Sequence, residues 1–514
     1  MKLNVGIVGN FAGWQLLLTQ EGVPFNSIQF APSPEEFSVV VVSSDSDEHQ
    51  IKFLRAYVED GGAVLCSAQE ARKVFQHPIR IRPFHSSLPA KEFSGVDLID
   101  IFAPCWLSPK SNAFALPNGQ ATAYIGQFGK GHAIILPFDP ADVIRDKRTI
   151  AKSFYSPERR LPFETVSIVS KHSVHQLVSR CLEILHHRRG LPYVHLWYYP
   201  NGMRSFGVFR VDTDFGTQPE ITQLYEIAQR HQIPMTWFVD VKSQQPHLSL
   251  FANMVEQEIG IHGFEHKTFS DYQRNLLNIR QAQAALKNAG IFAKGFSAPF
   301  GSWNNNLGRA IFDAGIEYSS EFSYDYDDLP SVPIIQNGTG TLQIPVHPIC
   351  IGSMKRHGYS EEQMIHYFDF VIQRKLAARE PLFFYHHPRD GHHSVLDWLF
   401  EKMKAERIPV KTMSDYAQWW KQRTSNIPAI SFSSGAVEIK NIMENRSLQI
   451  RISMPDGTEA ILPSAKQILL ETIRWQQQPE PWHAPEDYLR MRNFNYRIPL
   501  VRGLDAMMNL WKRN

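Results

Sequence analysis

Short, uninterrupted apolar runs recur along this chain, separated by stretches with helical periodicity. Phe37-Ser-Val-Val-Val-Val42 and Ala63-Val-Leu-Cys66 are two of them, and Phe206-Gly-Val-Phe209 and Leu382-Phe-Phe-Tyr385 are two more. A strand with one wet face alternates apolar and polar residues. An unbroken run belongs instead to a strand covered on both faces, as in a parallel sheet between helices. Between the first two runs Ile51, Leu54, Tyr57 and Val58 recur at helical spacing, and Gly61-Gly62 ends that segment. Alternating β and α units joined by short loops predict an α/β fold.

The chain has 514 residues, a length that suits about three domains. Residues 1–190 predict a doubly wound parallel-sheet domain. An aromatic connector with two prolines, 191–203, leads into a second alternating region. Its expected strands are Phe206–Val211, Met235–Val239, Glu258–His262, Lys294–Ser297, Leu382–His386 and Val410–Thr412. Residues 191–423 therefore suit a (β/α) barrel. Residues 424–514, with strands at Ala436–Lys440 and Leu448–Ile452 and a turn at Pro455-Asp-Gly457, predict a small β-rich domain with a helical tail.

The 53 Lys and Arg residues against 51 Asp and Glu leave a formal charge of +2. That balance offers no electrostatic reason to expect a nucleic-acid partner or a polybasic membrane anchor. No window of 18 apolar residues occurs, so no membrane span is expected. The opening Met1-Lys-Leu-Asn-Val-Gly-Ile-Val-Gly-Asn10 reads as a first buried strand rather than a secretion signal, which makes the cytoplasm the expected location. Cys66, Cys105, Cys181 and Cys350 stand far apart with no C-x-x-C pair, so neither a zinc ribbon nor a disulfide framework is expected. Gly126-Gln-Phe-Gly-Lys-Gly131 has a superficial likeness to a phosphate loop, but it precedes a strand and lacks the required spacing.

The second region gathers the residues that carry chemistry. Asp212 and Asp214 end an apolar strand two positions apart and are expected on one face with Arg210. Two adjacent carboxylates call for a neutralising cation. Glu258-Ile-Gly-Ile-His-Gly-Phe-Glu-His266 sets His262 and His266 four residues apart, on one face if a helical turn begins there. With an upstream aspartate they make a His/His/Asp set suited to a divalent metal with open positions. Phe296-Ser-Ala-Pro-Phe-Gly-Ser-Trp303 follows, and then Phe383-Phe-Tyr-His-His-Pro388.

These four segments, in this order and spacing, resemble the polysaccharide deacetylase (NodB-homology) superfamily over residues 203–420. The resemblance implies a distorted (β/α) barrel of the deacetylase type, a divalent cation with Zn²⁺ the first candidate, and Asp214, His262 and His266 as its ligands. It implies Asp212 as catalytic base and His387 as catalytic acid, with His386 the alternative one register away. Ser297 stands where the superfamily carries an arginine that orients the base, and Arg210 is the substitute on the same strand face. Pro299, Phe300 and Trp303 fall in the third motif as candidate substrate contacts. Tyr324-Asp-Tyr-Asp-Asp328 matches a further site-lining segment loosely, against the plainer reading of a solvated acidic turn. The implied activity is hydrolysis of an amide C–N bond in a small-molecule or oligosaccharide substrate, most simply an N-acetylated sugar. Two other readings stay open: a hydrolase of a non-sugar amide or cyclic imide, and a noncatalytic carbohydrate-binding or scaffold protein.

Residues 1–190 resemble the class I glutamine-amidotransferase-like (flavodoxin-like) fold through the runs at 37–42, 54–64 and 129–138. Cys66-Ser-Ala-Gln lacks the glycines that flank a nucleophile elbow in that family. The resemblance therefore implies a noncatalytic module with Cys66 as a buried structural thiol.

Overall fold

The computed structural model describes residues 1–78, 80–87, 93, 95–107, 110–115, 121–158, 161–335, 338–441, 447–483, 485 and 488. The chain divides into two compact units, each assembled from separate stretches: 1–146, 169–204 and 418–482 form one, and 147–168, 205–417 and 483–514 the other. These stretches do not follow the consecutive boundaries 1–190, 191–423 and 424–514 read from the sequence. The helical tail expected at the end of the chain lies outside the described residues. Among the described residues no helix is long and apolar enough to cross a membrane.

In the first unit a seven-stranded sheet runs in the order 25–27, 5–8, 39–42, 63–67, 131–136, 121–128, 113–115. The first five strands are parallel. The last two are added antiparallel, the 121–128 and 131–136 pair through the tight turn at Gly129-Lys130. Val39–Val42 and Ala63–Ser67 are buried along their whole length, as continuous apolar runs require. The strand Tyr193–Leu196, read as part of a connector, pairs antiparallel with Gln449–Ser453. Its buried Val194 and Leu196 share a core with Ile430, Val437, Ile439, Ile450 and Ile452. That shared apolar core holds 418–482 within this unit.

The second unit is built on an eight-stranded parallel sheet. Its strands are β1 (Gly207–Asp212), β2 (Thr236–Val239), β3 (Glu258–Ile261), β4 (Gly295–Phe296), β5 (Tyr318–Ser319), β6 (Leu342–Gln343), β7 (Leu382–His386) and β8 (Val410–Lys411). The order is β6-β5-β4-β3-β2-β1-β7, with β8 also paired to the start of β1. All pairings in this sheet are parallel. Every residue of β1, β2 and β7 is buried. The strands expected from the sequence are present: β7 has the expected bounds, β1 is shifted one residue on, β2, β3 and β8 are one residue shorter, and β4 is two residues shorter. β5 and β6, two residues each, carry too little pattern to be read in advance.

Candidate active site

The polar residues of the second unit collect where β1, β2, β3, β4, β5 and β7 end, the face on which parallel (β/α) barrels place their chemistry. Arg210 and Asp212 point from the same side of β1 because side chains two apart share a face. The guanidinium grips the carboxylate with both arms: Nε donates to Oδ1 at 2.8 Å, and Nη2 donates to Oδ2. Nη1 donates to the Ser320 carbonyl at 2.8 Å and to its Oγ at 3.0 Å, so the fork is anchored from the end of β5. The Arg210 side chain is fully buried between the rings of Phe238 and Tyr385. Burial alone would raise the Asp212 carboxyl, but Arg210 and His262 more than offset it and hold it below the usual carboxylate range.

Asp214 arrives by a different route from the expected strand alternation. β1 stops at Asp212, Thr213 Oγ1 accepts from the Asp240 amide at 2.9 Å, and Asp214 and Phe215 follow in left-handed conformations with φ of 37° and 60°. Aspartate tolerates that region better than most residues. The turn brings Asp214 Oδ1 to 3.0 Å from His262 Nε2 and 2.9 Å from His266 Nε2. The two histidines do meet, with ring centroids 5.0 Å apart, though no helical turn joins them. Gly263, at φ 83°, reverses the chain after β3 into an irregular loop. Asn278 of the helix Tyr272–Asn288 pins that loop: its Oδ1 accepts from the Glu265 amide at 2.7 Å, and its Nδ2 donates to the Glu265 and Lys267 carbonyls. Asn278 is a positioning residue that local spacing does not reveal.

His262 Nδ1 donates to the Ser297 carbonyl at 2.8 Å, which leaves Nε2 to face Asp214. Burial would lower the His262 pKa, but the Asp212 and Asp214 carboxylates outweigh it and raise it. Two imidazole nitrogens converging on one carboxylate oxygen is the arrangement a shared cation satisfies. All three ligand atoms lie within 4.8 Å of one another. The donor set of two imidazoles and a carboxylate suits Zn²⁺ and leaves positions for water and substrate. The residues present therefore fit the divalent metal that the sequence implies.

The end of β7 separates His386, its last residue, from His387, the residue after it, by face. His387 Nε2 lies 3.5 Å from Asp214 Oδ2, and its Nδ1 donates to Asp390 Oδ2 at 2.8 Å. Burial would lower its pKa, but Asp390, Cys350 and Asp214 together raise it well above the ordinary histidine value. His386 points the other way. It is buried, with no hydrogen-bond partner for either nitrogen among the described residues, and burial pushes its pKa down to about 3.

The third motif contributes unevenly. Ser297 is buried and lends its backbone carbonyl, while its hydroxyl has no partner among the described residues. Pro299 is buried, and Phe300, left-handed at φ 61°, is 66% exposed. Its ring sits 5.1 Å from His266, and Phe215, also exposed, sits 5.0 Å from the same imidazole. Phe215 was not singled out in the sequence, yet the two phenyl rings flank the same imidazole. Trp303 instead packs into a small cluster with Tyr324 and Ile335. Tyr324–Asp328 is no solvated turn: all five residues are buried, and Asp327 pairs with His347 at 2.9 Å and Lys375 at 2.8 Å. Glu321, also unforeseen, is buried after β5 and accepts from the Ala298 amide at 3.1 Å. Burial raises its pKa to about 7 against the opposing pull of Gln343 and Arg210.

Residues 211–319 match the family model for polysaccharide deacetylases. The matched stretch runs from β1 to β5 and includes Asp212, Asp214, His262, His266 and Ser297. A Mycobacterium smegmatis protein assigned as a polysaccharide deacetylase is 17% identical, covering 44% of this chain and 93% of its own, with a TM-score of 0.38. The Puue allantoinase is also 17% identical, covering 43% of this chain and 92% of its own, with a TM-score of 0.38. A CE4 family pseudoenzyme from Bacillus anthracis is 16% identical, covering 43% and 66%, with a TM-score of 0.31. No curated protein matches the sequence.

Proposed function

We propose that this chain hydrolyses an amide C–N bond, most simply removing the acetyl group from an N-acetylated sugar or sugar conjugate. The observation that carries the reading is the convergence of His262 Nε2 and His266 Nε2 on Asp214 Oδ1, between an arginine-paired aspartate and an aspartate-paired histidine. Asp214, His262 and His266 would hold the divalent cation, with zinc the first candidate. Such a cation, when bound, polarises a carbonyl and makes water more acidic.

Asp212 serves as the base. Arg210 keeps it ionised and fixes both carboxylate oxygens, so it accepts the proton of the water that attacks the carbonyl carbon. His387 serves as the acid. Asp390 holds Nδ1–H and keeps the ring protonated, so Nε2 delivers a proton to the departing nitrogen as the C–N bond breaks. Arg210 takes the orienting part that the third motif leaves open at Ser297. Phe215 and Phe300 offer apolar faces at the rim for a sugar ring. The parallel sheet of the first unit is read, on its resemblance, as an amidotransferase-like module without a nucleophile. Cys66 is buried there, and burial, with Glu70 and Asp139, pushes its thiol pKa far up.

The test is acetate release from N-acetylated mono- and oligosaccharides by zinc-loaded wild type and Asp212→Asn. Turnover in the wild type that the variant loses while retaining zinc is expected. No release from any sugar, with zinc bound, would move the reading to a non-sugar amide or a binding role.

A further inference from the structure

Behind His387, on the side away from Asp214, lies a second group of metal-ligating atoms. His387 Nδ1 is 2.8 Å from Asp390 Oδ2 and 3.9 Å from Cys350 Sγ. The three ligand atoms lie within 4.8 Å of one another, and Ser353 Oγ lies 3.7 Å from the sulfur. Cys350 is buried, whereas His387 and Asp390 are each about one-sixth exposed, which leaves an approach from their side. A methyl group built on Gly352 would stand 2.5 Å from Asp390 Cγ, so the missing side chain makes the space in which the carboxylate reaches this position.

We propose that Cys350, His387 and Asp390 form a second, inhibitory cation site for a soft divalent ion such as Zn²⁺ or Cd²⁺. Thiolate, imidazole and carboxylate make a zinc-type donor set, and bonds of about 2.0–2.3 Å span these separations with small side-chain movements. Binding releases two protons, one from the thiol and one from Nδ1. Because Nε2 of the same ring faces Asp214, one imidazole separates the two sites. With a cation on Nδ1 the ring carries its single proton on Nε2 and is no longer an imidazolium, so it becomes a far weaker proton donor. Excess cation therefore inhibits by occupying the acid. The binding stands apart from the proposed reaction, while the inhibition rests on His387 being its acid.

The probe is cadmium alone, added to the metal-free full-length chain. Bound equivalents are counted by equilibrium dialysis, and sulfur ligation is read from thiolate-to-cadmium charge-transfer absorption. Wild type is expected to bind two equivalents, with the absorption belonging to one of them. Cys350→Ser should bind one equivalent without the absorption, His262→Ala one with it, and Asp390→Asn should weaken the sulfur-ligated equivalent at least tenfold. A wild type that saturates at one equivalent without the absorption overturns the site, as does absorption that survives in Cys350→Ser. In turnover assays excess zinc should slow the wild type at least tenfold and leave the rate of Cys350→Ser insensitive. Two equivalents with the thiolate absorption but no inhibition would leave the site standing and remove His387 as the acid.

Discussion

Gly352→Ala tests whether the Asp390–His387 bond sets the strength of the proposed acid. The added methyl would lie 2.5 Å from Asp390 Cγ, 2.6 Å from Oδ1 and nearer still to Oδ2, where ordinary contacts begin at 3.4 Å. Relieving that overlap moves the carboxylate by about 1 Å, because overlap of this size lies on the steep repulsive wall of the contact. The bond to His387 Nδ1 is 2.8 Å long, and a hydrogen bond tolerates only a few tenths of an ångström of stretch. Loss of a charge-assisted bond in this half-buried setting is worth about 1.5–3 kcal/mol. Carried through to the transition state, that is roughly a 10- to 100-fold loss in kcat/KM. The sign of the pH effect follows from the pair. Asp390 raises the His387 pKa, so weakening it lowers that pKa and moves the alkaline limb of kcat/KM to lower pH. A second readout needs no substrate: the imidazole NMR titration of His387 should shift in the same direction. A folded Gly352→Ala protein whose titration and pH profile both match the wild type would refute the reasoning.

Three further outcomes are expected. Arg210→Met strands the Asp212 carboxylate in a buried site and should cost about 3–5 kcal/mol; thermal or urea unfolding of the variant checks it, and a loss below about 1 kcal/mol would show that the pair is not structural. Glu321 has its pKa raised from 4.5 to about 7, so the native state binds extra protons across that window and stability falls as pH rises through it. Glu321→Gln keeps the oxygen that accepts from Ala298 and should flatten this fall, giving a higher Tm than wild type at pH 8 and little difference at pH 4.5. His386→Leu exchanges a neutral imidazole with no partner among the described residues for an apolar side chain of similar size and should keep turnover within a few-fold, whereas His387→Ala should lose about 10²- to 10⁴-fold; equal losses in the two would undo the assignment of faces at the end of β7.

Much of the site was legible before the fold was known. Strand alternation set Arg210 beside Asp212, and the four-residue spacing of His262 and His266 marked them as neighbours. The reason behind that spacing was different, since the left-handed Gly263 and the Asn278 clamp do what a helical turn was expected to do. The buried acidic segment at 324–328 misled for a related reason. Charged residues read as solvated until their partners are visible, and His347 and Lys375 lie about 20 and 48 residues away from Asp327. Cys350 and Glu321 gave no local signal either, because each acquires its meaning from a residue at another strand end; Asp390 lies only three residues after His387, yet an aspartate in a polar turn has no distinguishing pattern.

The sequence by itself determined the parallel α/β character, the strand ends that carry polar residues, and the residue types proposed as base, ligands and acid. Those follow from local rules: continuous apolar runs, period-two alternation and donor identity within a few residues. Tertiary structure alone decided that His387 rather than His386 faces Asp214, since a two-residue repeat fixes which neighbours share a face but not which face is the site. It alone decided that Cys350 stands against the far nitrogen of that ring, and that 193–196 and 449–453 pair within one unit. Such contacts are set by loop closure and packing between distant segments, and a linear pattern carries no record of them.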